Sequence, residues 1–149
     1  MGVPETERRP QTSIETRVRP CDEPPPPLLR EAIEQFNRGE YFTQHETLEI
    51  LWRDEPRPVR ELYQGILQVG VALYHVQRGN YHGAVYMLTR GAEYLRPFAP
   101  ECQGVDVKAL LDAAESMLAR VEALGPTRLN EFDWATAPRV RLTPEATLR

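Results

Sequence analysis

The chain reads as all-α, a single orthogonal or antiparallel bundle of about five helices built from helix-Gly-helix hairpins, with irregular N- and C-terminal extensions. Three observations predict this class. Apolar residues recur at three and four in five successive segments, Gly or Pro punctuates the junctions, and no stretch alternates with period two long enough for a strand. At 149 residues with 41% apolar content, the chain has the material for one ordinary core.

The first helix carries Leu29, Ala32, Ile33 and Phe36 at helical spacing, and Gly39 stops it as a left-handed C-terminal cap. The second spans about Tyr41 to Asp54 and is ended by Pro56 and Pro58. Pro58 suits the first turn of a third helix, which continues to Arg78 ahead of Gly79. A fourth is expected from about Asn80 to Arg96, with Tyr81, Val85, Leu88, Ala92 and Leu95 on one stripe. The fifth, roughly Val105 to Leu124, carries Val107, Leu111, Ala114, Leu118 and Val121 and is closed by Gly125-Pro126. Arg38-Gly39-Glu40-Tyr41 recurs as Arg78-Gly79-Asn80-Tyr81, so one turn solution is used twice. The spacing of forty residues, present in two copies, does not match a tetratricopeptide repeat.

Three segments follow from composition: a Pro-rich head at 1–27, a helical domain at 28–125 and an irregular tail at 126–149. Seven of the fourteen prolines lie in the head, which has only Ile14 and Val18 as sizeable aliphatic residues, so it is expected to be disordered or polyproline-like. The tail holds Leu129, Phe132, Trp134, Val140 and Leu142, too apolar for a free linker, and it wraps the bundle or docks on a partner. The net charge of -4 leaves no basic footprint for nucleic acid. Seventeen arginines against the single Lys108 are read as base composition. No apolar run is long enough for a membrane span or placed as a secretion signal. Cys21 and Cys102 offer neither zinc spacing nor a disulfide framework, so a reducing, cytoplasmic setting is expected.

The candidate site comes from the second and third helices. His45, Glu49 and Trp52 share a stripe with Tyr41 and Leu48, which is expected to be buried. On the third helix, apolar nearly all round, Gln64, Gln68 and His75 form a polar line with Val71 between. The short Pro-rich turn makes the two helices antiparallel neighbours, so the polar lines are expected to meet. Glu46 points about a quarter-turn away, toward solvent, an arginine or the rim of the same site.

The phrase Phe36-Asn37-x-Gly39-Glu40-Tyr41-Phe42-x-x-His45-Glu46-x-Leu48-Glu49-x-x-Trp52, followed by Tyr63-Gln64-Gly65-x-x-Gln68-Val69, Leu73-Tyr74-His75 and Gly79-Asn80-Tyr81-x-Gly83-Ala84, resembles domain of unknown function 309. The likeness covers about Leu29 to Leu95. It implies a small, all-helical cytosolic protein, with His45, Glu46, Glu49, Trp52, Gln64, Gln68 and Asn80 among the signature positions and no activity attached to them.

Two functions remain open. The favoured one is a binding or scaffold module for a protein or small molecule, its buried polar network structural, with no cofactor and no enzymatic activity. The alternative is a metal-dependent hydrolase in which His45, Glu49 and His75 hold zinc or iron and Glu46 acts as base. Position 49 is Glu where the zincin motif needs His, and the carboxylates of a di-iron bundle are missing. Trp52 and tyrosines 41, 63, 74 and 81 are assigned to the core, and His82 has no role. Oligomeric state is not encoded in any of these patterns.

Overall fold

The computed structural model describes residues 19–148. The expected helices are present as α1 (Pro27–Asn37), α2 (Tyr41–Asp54), α3 (Arg60–Gln77), α4 (Tyr81–Leu95) and α5 (Val107–Leu124), with a short α6 (Pro144–Leu148) in the tail. Each of the five long helices packs on its neighbour in sequence, α1 on α2 through to α4 on α5. The recurring Arg-Gly turn is one structure used twice. At the end of α1, Glu40 N–H donates to Gln35 O (2.9 Å) and Gly39 N–H to Phe36 O (3.0 Å); at the end of α3, Asn80 N–H donates to His75 O (2.8 Å) and Gly79 N–H to Val76 O (3.1 Å). This paired pattern needs a left-handed residue, and Gly39 (φ +83°) and Gly79 (φ +73°) supply it.

The core runs the length of α3, which contributes the buried Leu62, Tyr63, Ile66, Val69, Ala72 and Leu73. Close helix approach is set by glycines: Gly65 lies under Leu95, Gly91 against Val69, and Gly70 against the Gln44 amide. Tyr63 is fully buried and its hydroxyl donates to Gln103 Oε1 at 2.7 Å; burial pushes that phenol up to about 12.

Three expectations are corrected. First, residues 19–27 of the head are ordered: Arg19–Asp22 forms a 3-10 turn, Gln103 N–H donates to Cys21 O at 2.8 Å, and Arg57 pairs with Glu23 at 2.8 Å. The expected disorder of residues 1–18 lies outside the described residues. Second, Cys21 and Cys102 are joined in a disulfide across a separation of 81 residues. Two cysteines so far apart show no framework in sequence; the fold brings them together by stacking the head on the α4–α5 connection. The inference from unpaired cysteines to a reducing compartment therefore falls away. Third, that connection holds two short strands, β1 (Glu101–Cys102) and β2 (Val105–Asp106), paired antiparallel. Two residues are too few to show a period.

The tail lies on the bundle. Leu129, Phe132 and Val140 are buried, and the Asn37 amide brackets the Val140 backbone, donating to its carbonyl and accepting from its N–H, both at 2.8 Å. Farther on, Thr143 N–H donates to Gly104 O, and Leu142 pairs with Val105.

Candidate functional site

The buried face of α2 is turned from the one its pattern suggests. Tyr41, Gln44, Thr47 and Leu48 face inward, whereas Glu46 and Glu49 are exposed and His45 and Trp52 half-buried. Gln44 explains the rotation. It is fully buried, and its Nε2 donates to Tyr41 O (3.0 Å) and Leu67 O (3.3 Å), bonds that offset burial of the amide nitrogen, while its Oε1 is buried without a partner among the described residues. Gly70 gives that amide its room.

The expected polar network is not assembled as drawn: among the described residues no hydrogen bond joins His45 or Glu49 to Gln64, Gln68 or His75. Gln64 is half-buried, and Gln68 is buried with its Oε1 unpartnered. What the fold does bring together is His45 and His75. Both line a hollow of about 140 Å³ between the start of α2 and the end of α3, together with Tyr41, Phe42, Val71 and Tyr74. The Phe42 ring lies 5.8 Å from His45 and 5.7 Å from Tyr74, and the Arg78 guanidinium sits 5.7 Å above the Tyr74 ring. At the opposite end of the α2–α3 pair, Arg60 stacks over Trp52 at 4.2 Å and donates through Nε to the Trp52 carbonyl.

Asn80 sets the chemistry of His75. As N-cap of α4 its Oδ1 accepts from Gly83 N–H at 2.9 Å, so its amide nitrogen faces His75 Nδ1 at 3.3 Å and donates to it. Nδ1 is then an acceptor, and the imidazole proton sits on Nε2. Burial holds His75 below the ordinary histidine range, in the same neutral state. A metal bound through Nε2 would force the proton onto Nδ1, against the Asn80 donor. Glu49 and Glu46 remain exposed on α2, and among the described residues no three His, Cys, Asp or Glu side chains come together to hold an ion. The geometry thus does not gather the ligand set His45, Glu49 and His75. His45 Nδ1 is buried without a hydrogen-bond partner among the described residues.

Phe42 and Val71 were missed as site residues because an isolated apolar side chain carries no chemical signal in sequence. Asn80, a helix-capping residue type just before the fourth helix, is the signal that could have shown the cap, and through it His75; as a capping signal it too was missed.

Residues 29–87 match the family model described as "Domain of unknown function (DUF309)". Over that stretch the chain is similar to DUF309. That stretch runs from α1 into α4 and contains the whole hollow, while the disulfide and the tail strap include partners beyond it. Among relatives, the uncharacterised protein YpuF of Bacillus subtilis (strain 168) is 34% identical over 95 residues, covering 62% of this chain and 55% of that protein. An uncharacterised protein of Aquifex aeolicus (strain VF5) is 22% identical over 103 residues, covering 68% of this chain and 31% of that protein. The chain therefore spans about half the length of one relative and a third of the other. No solved structure matches. Among the described residues no helix is long and apolar enough to cross a membrane. No activity accompanies DUF309 or these relatives.

Proposed function

We propose that this helical domain is a binding module whose ligand face is the α2–α3 groove, and that the hollow receives one apolar side chain of a protein partner. The observation that carries the reading is the hollow itself. Four aromatic or imidazole rings and Val71 wall it beside Tyr41, its volume suits a single side chain, and His75 stands there neutral. Phe42 remains 54% exposed beside it, an apolar surface of the size that anchors a partner side chain. The buried amides of Gln44 and Gln68 serve packing in this reading.

Amide NMR with isobutyl- and benzyl-bearing fragments tests the proposal. Shifts are expected at Phe42, His45, Val71, Tyr74 and His75, and they should vanish in Val71→Trp, which fills the space. Fragment shifts absent from those positions would sink the reading. Binding at the groove does not depend on a cytoplasmic setting, against which the Cys21–Cys102 disulfide weighs; alkylating thiols at the moment of lysis decides it, free thiols supporting that setting and a bond found in the cell overturning it.

A further inference from the structure

The outward stripe of α2 extends the hollow. Phe42 and Ile50, exposed at 54% and 44%, are two of only four large apolar side chains so open among the described residues, and they lie on one face, two turns apart. Glu46 and Glu49 stand between them, exposed and, among the described residues, without an ion-pair partner. Glu61 on α3 and Glu122 on α5 are exposed and unpaired in the same way among the described residues, but neither stands between two exposed apolar side chains, and other helix carboxylates are paired. Glu34 pairs with Arg38, Glu93 with Arg90, Asp112 with Lys108 and Glu115 with Arg96. Arg53 lies one turn beyond Glu49 yet makes no ion pair with it. Two uncompensated carboxylates flanked by two apolar anchors, next to an apolar hollow, form the complement of a basic amphipathic helix.

We infer that the partner segment is such a helix, resting on the groove reading above. One aliphatic side chain enters the hollow beside Phe42, a second two turns on packs against Ile50, and lysine or arginine one turn from each lies opposite Glu46 and Glu49. The hollow supplies the anchor and the carboxylates supply orientation and preference of charge.

The test uses the full chain and two stapled helical peptides of about four turns, each with two leucines spaced as Phe42 and Ile50 are. One carries lysines between the leucines, the other glutamates, and binding is read by fluorescence anisotropy and amide NMR. The lysine peptide should bind with shifts at Phe42, Glu46, Glu49 and Ile50, about tenfold more tightly than the glutamate peptide at low salt. The charge-reversed double variant Glu46→Lys/Glu49→Lys should invert that preference, and Phe42→Ala should weaken both peptides. Equal binding of the two peptides, an unreversed preference, or no binding of either overturns the basic-helix partner. Fragment binding at Phe42 and His75 distinguishes the failures: if it persists, the hollow reading stands and only the partner falls; if it too is absent, both fall.

Discussion

Gly70→Ala is expected to destabilise the protein, and in a Gln44→Ala background the same substitution is expected to stabilise it. A Cβ at position 70 would lie 2.6 Å from Gln44 Cδ and 3.0 Å from its Oε1, so the whole amide has to leave its place. Gln44 is fully buried and would give up its bonds to Tyr41 O and Leu67 O. Those bonds are worth about 1 kcal/mol each, and overpacking adds roughly 1 kcal/mol or more. Against this, alanine in a helix interior is better than glycine by about 1 kcal/mol. The balance is a loss of about 2 kcal/mol, or a melting point lower by roughly 4 to 8 °C for a chain of this size. With Gln44 already trimmed, only the propensity gain of about 1 kcal/mol remains, so the coupling between the two sites is about 3 kcal/mol. Urea unfolding followed by circular dichroism on the four proteins of the cycle measures it. Gly70→Ala with the same sign in both backgrounds would refute the claim that Gly70 exists to seat the Gln44 amide.

Three further outcomes follow from the same geometry. Glu49→Ala should change stability by no more than about 0.5 kcal/mol, since the carboxylate is exposed and unpaired among the described residues; a loss above 1 kcal/mol by denaturant titration would mean it is tied into the core after all. Cys21→Ser should lower stability by about 2 to 4 kcal/mol, because the disulfide restricts an unfolded chain across a separation of 81 residues, and an unchanged urea midpoint with and without dithiothreitol would count against the bond. For His75, burial depresses the folded-state value below 6.5, so the unfolded chain binds more protons just beneath that pH and stability is lost as pH falls through the interval. Long-range proton–nitrogen NMR should find the proton on Nε2 and a midpoint below 6.5; Asn80→Ala should raise that midpoint and cost about 1 kcal/mol through loss of the α4 cap, and a wild-type Nδ1–H tautomer contradicts the assignment.

Local chemistry was readable from residue order alone. The extent of α2 at Tyr41–Asp54, the two Arg-Gly turns and the closure of α5 at Gly125 follow from apolar spacing and from the few residues that adopt a left-handed backbone, both properties of near neighbours in the chain. The pairing of α2 with α3, and with it the meeting of His45 and His75, followed from the short connection between them. Which face of α2 turns inward did not, because hydropathy counts Gln44 as polar, and only the absent side chain of Gly70 and the carbonyl of Leu67 make that amide a good core residue. For the same reason Glu49, assigned to the interior by its spacing, stands in water. Contacts across many residues were beyond reach of any pattern: Cys21 with Cys102, Tyr63 with Gln103 and Asn37 with Val140 each depend on where a distant segment arrives. The site divides along the same line. Its imidazoles were visible as chemistry in the sequence, but its apolar walls, and the tautomer that keeps His75 a neutral donor, exist only where α2, α3 and the cap of α4 meet.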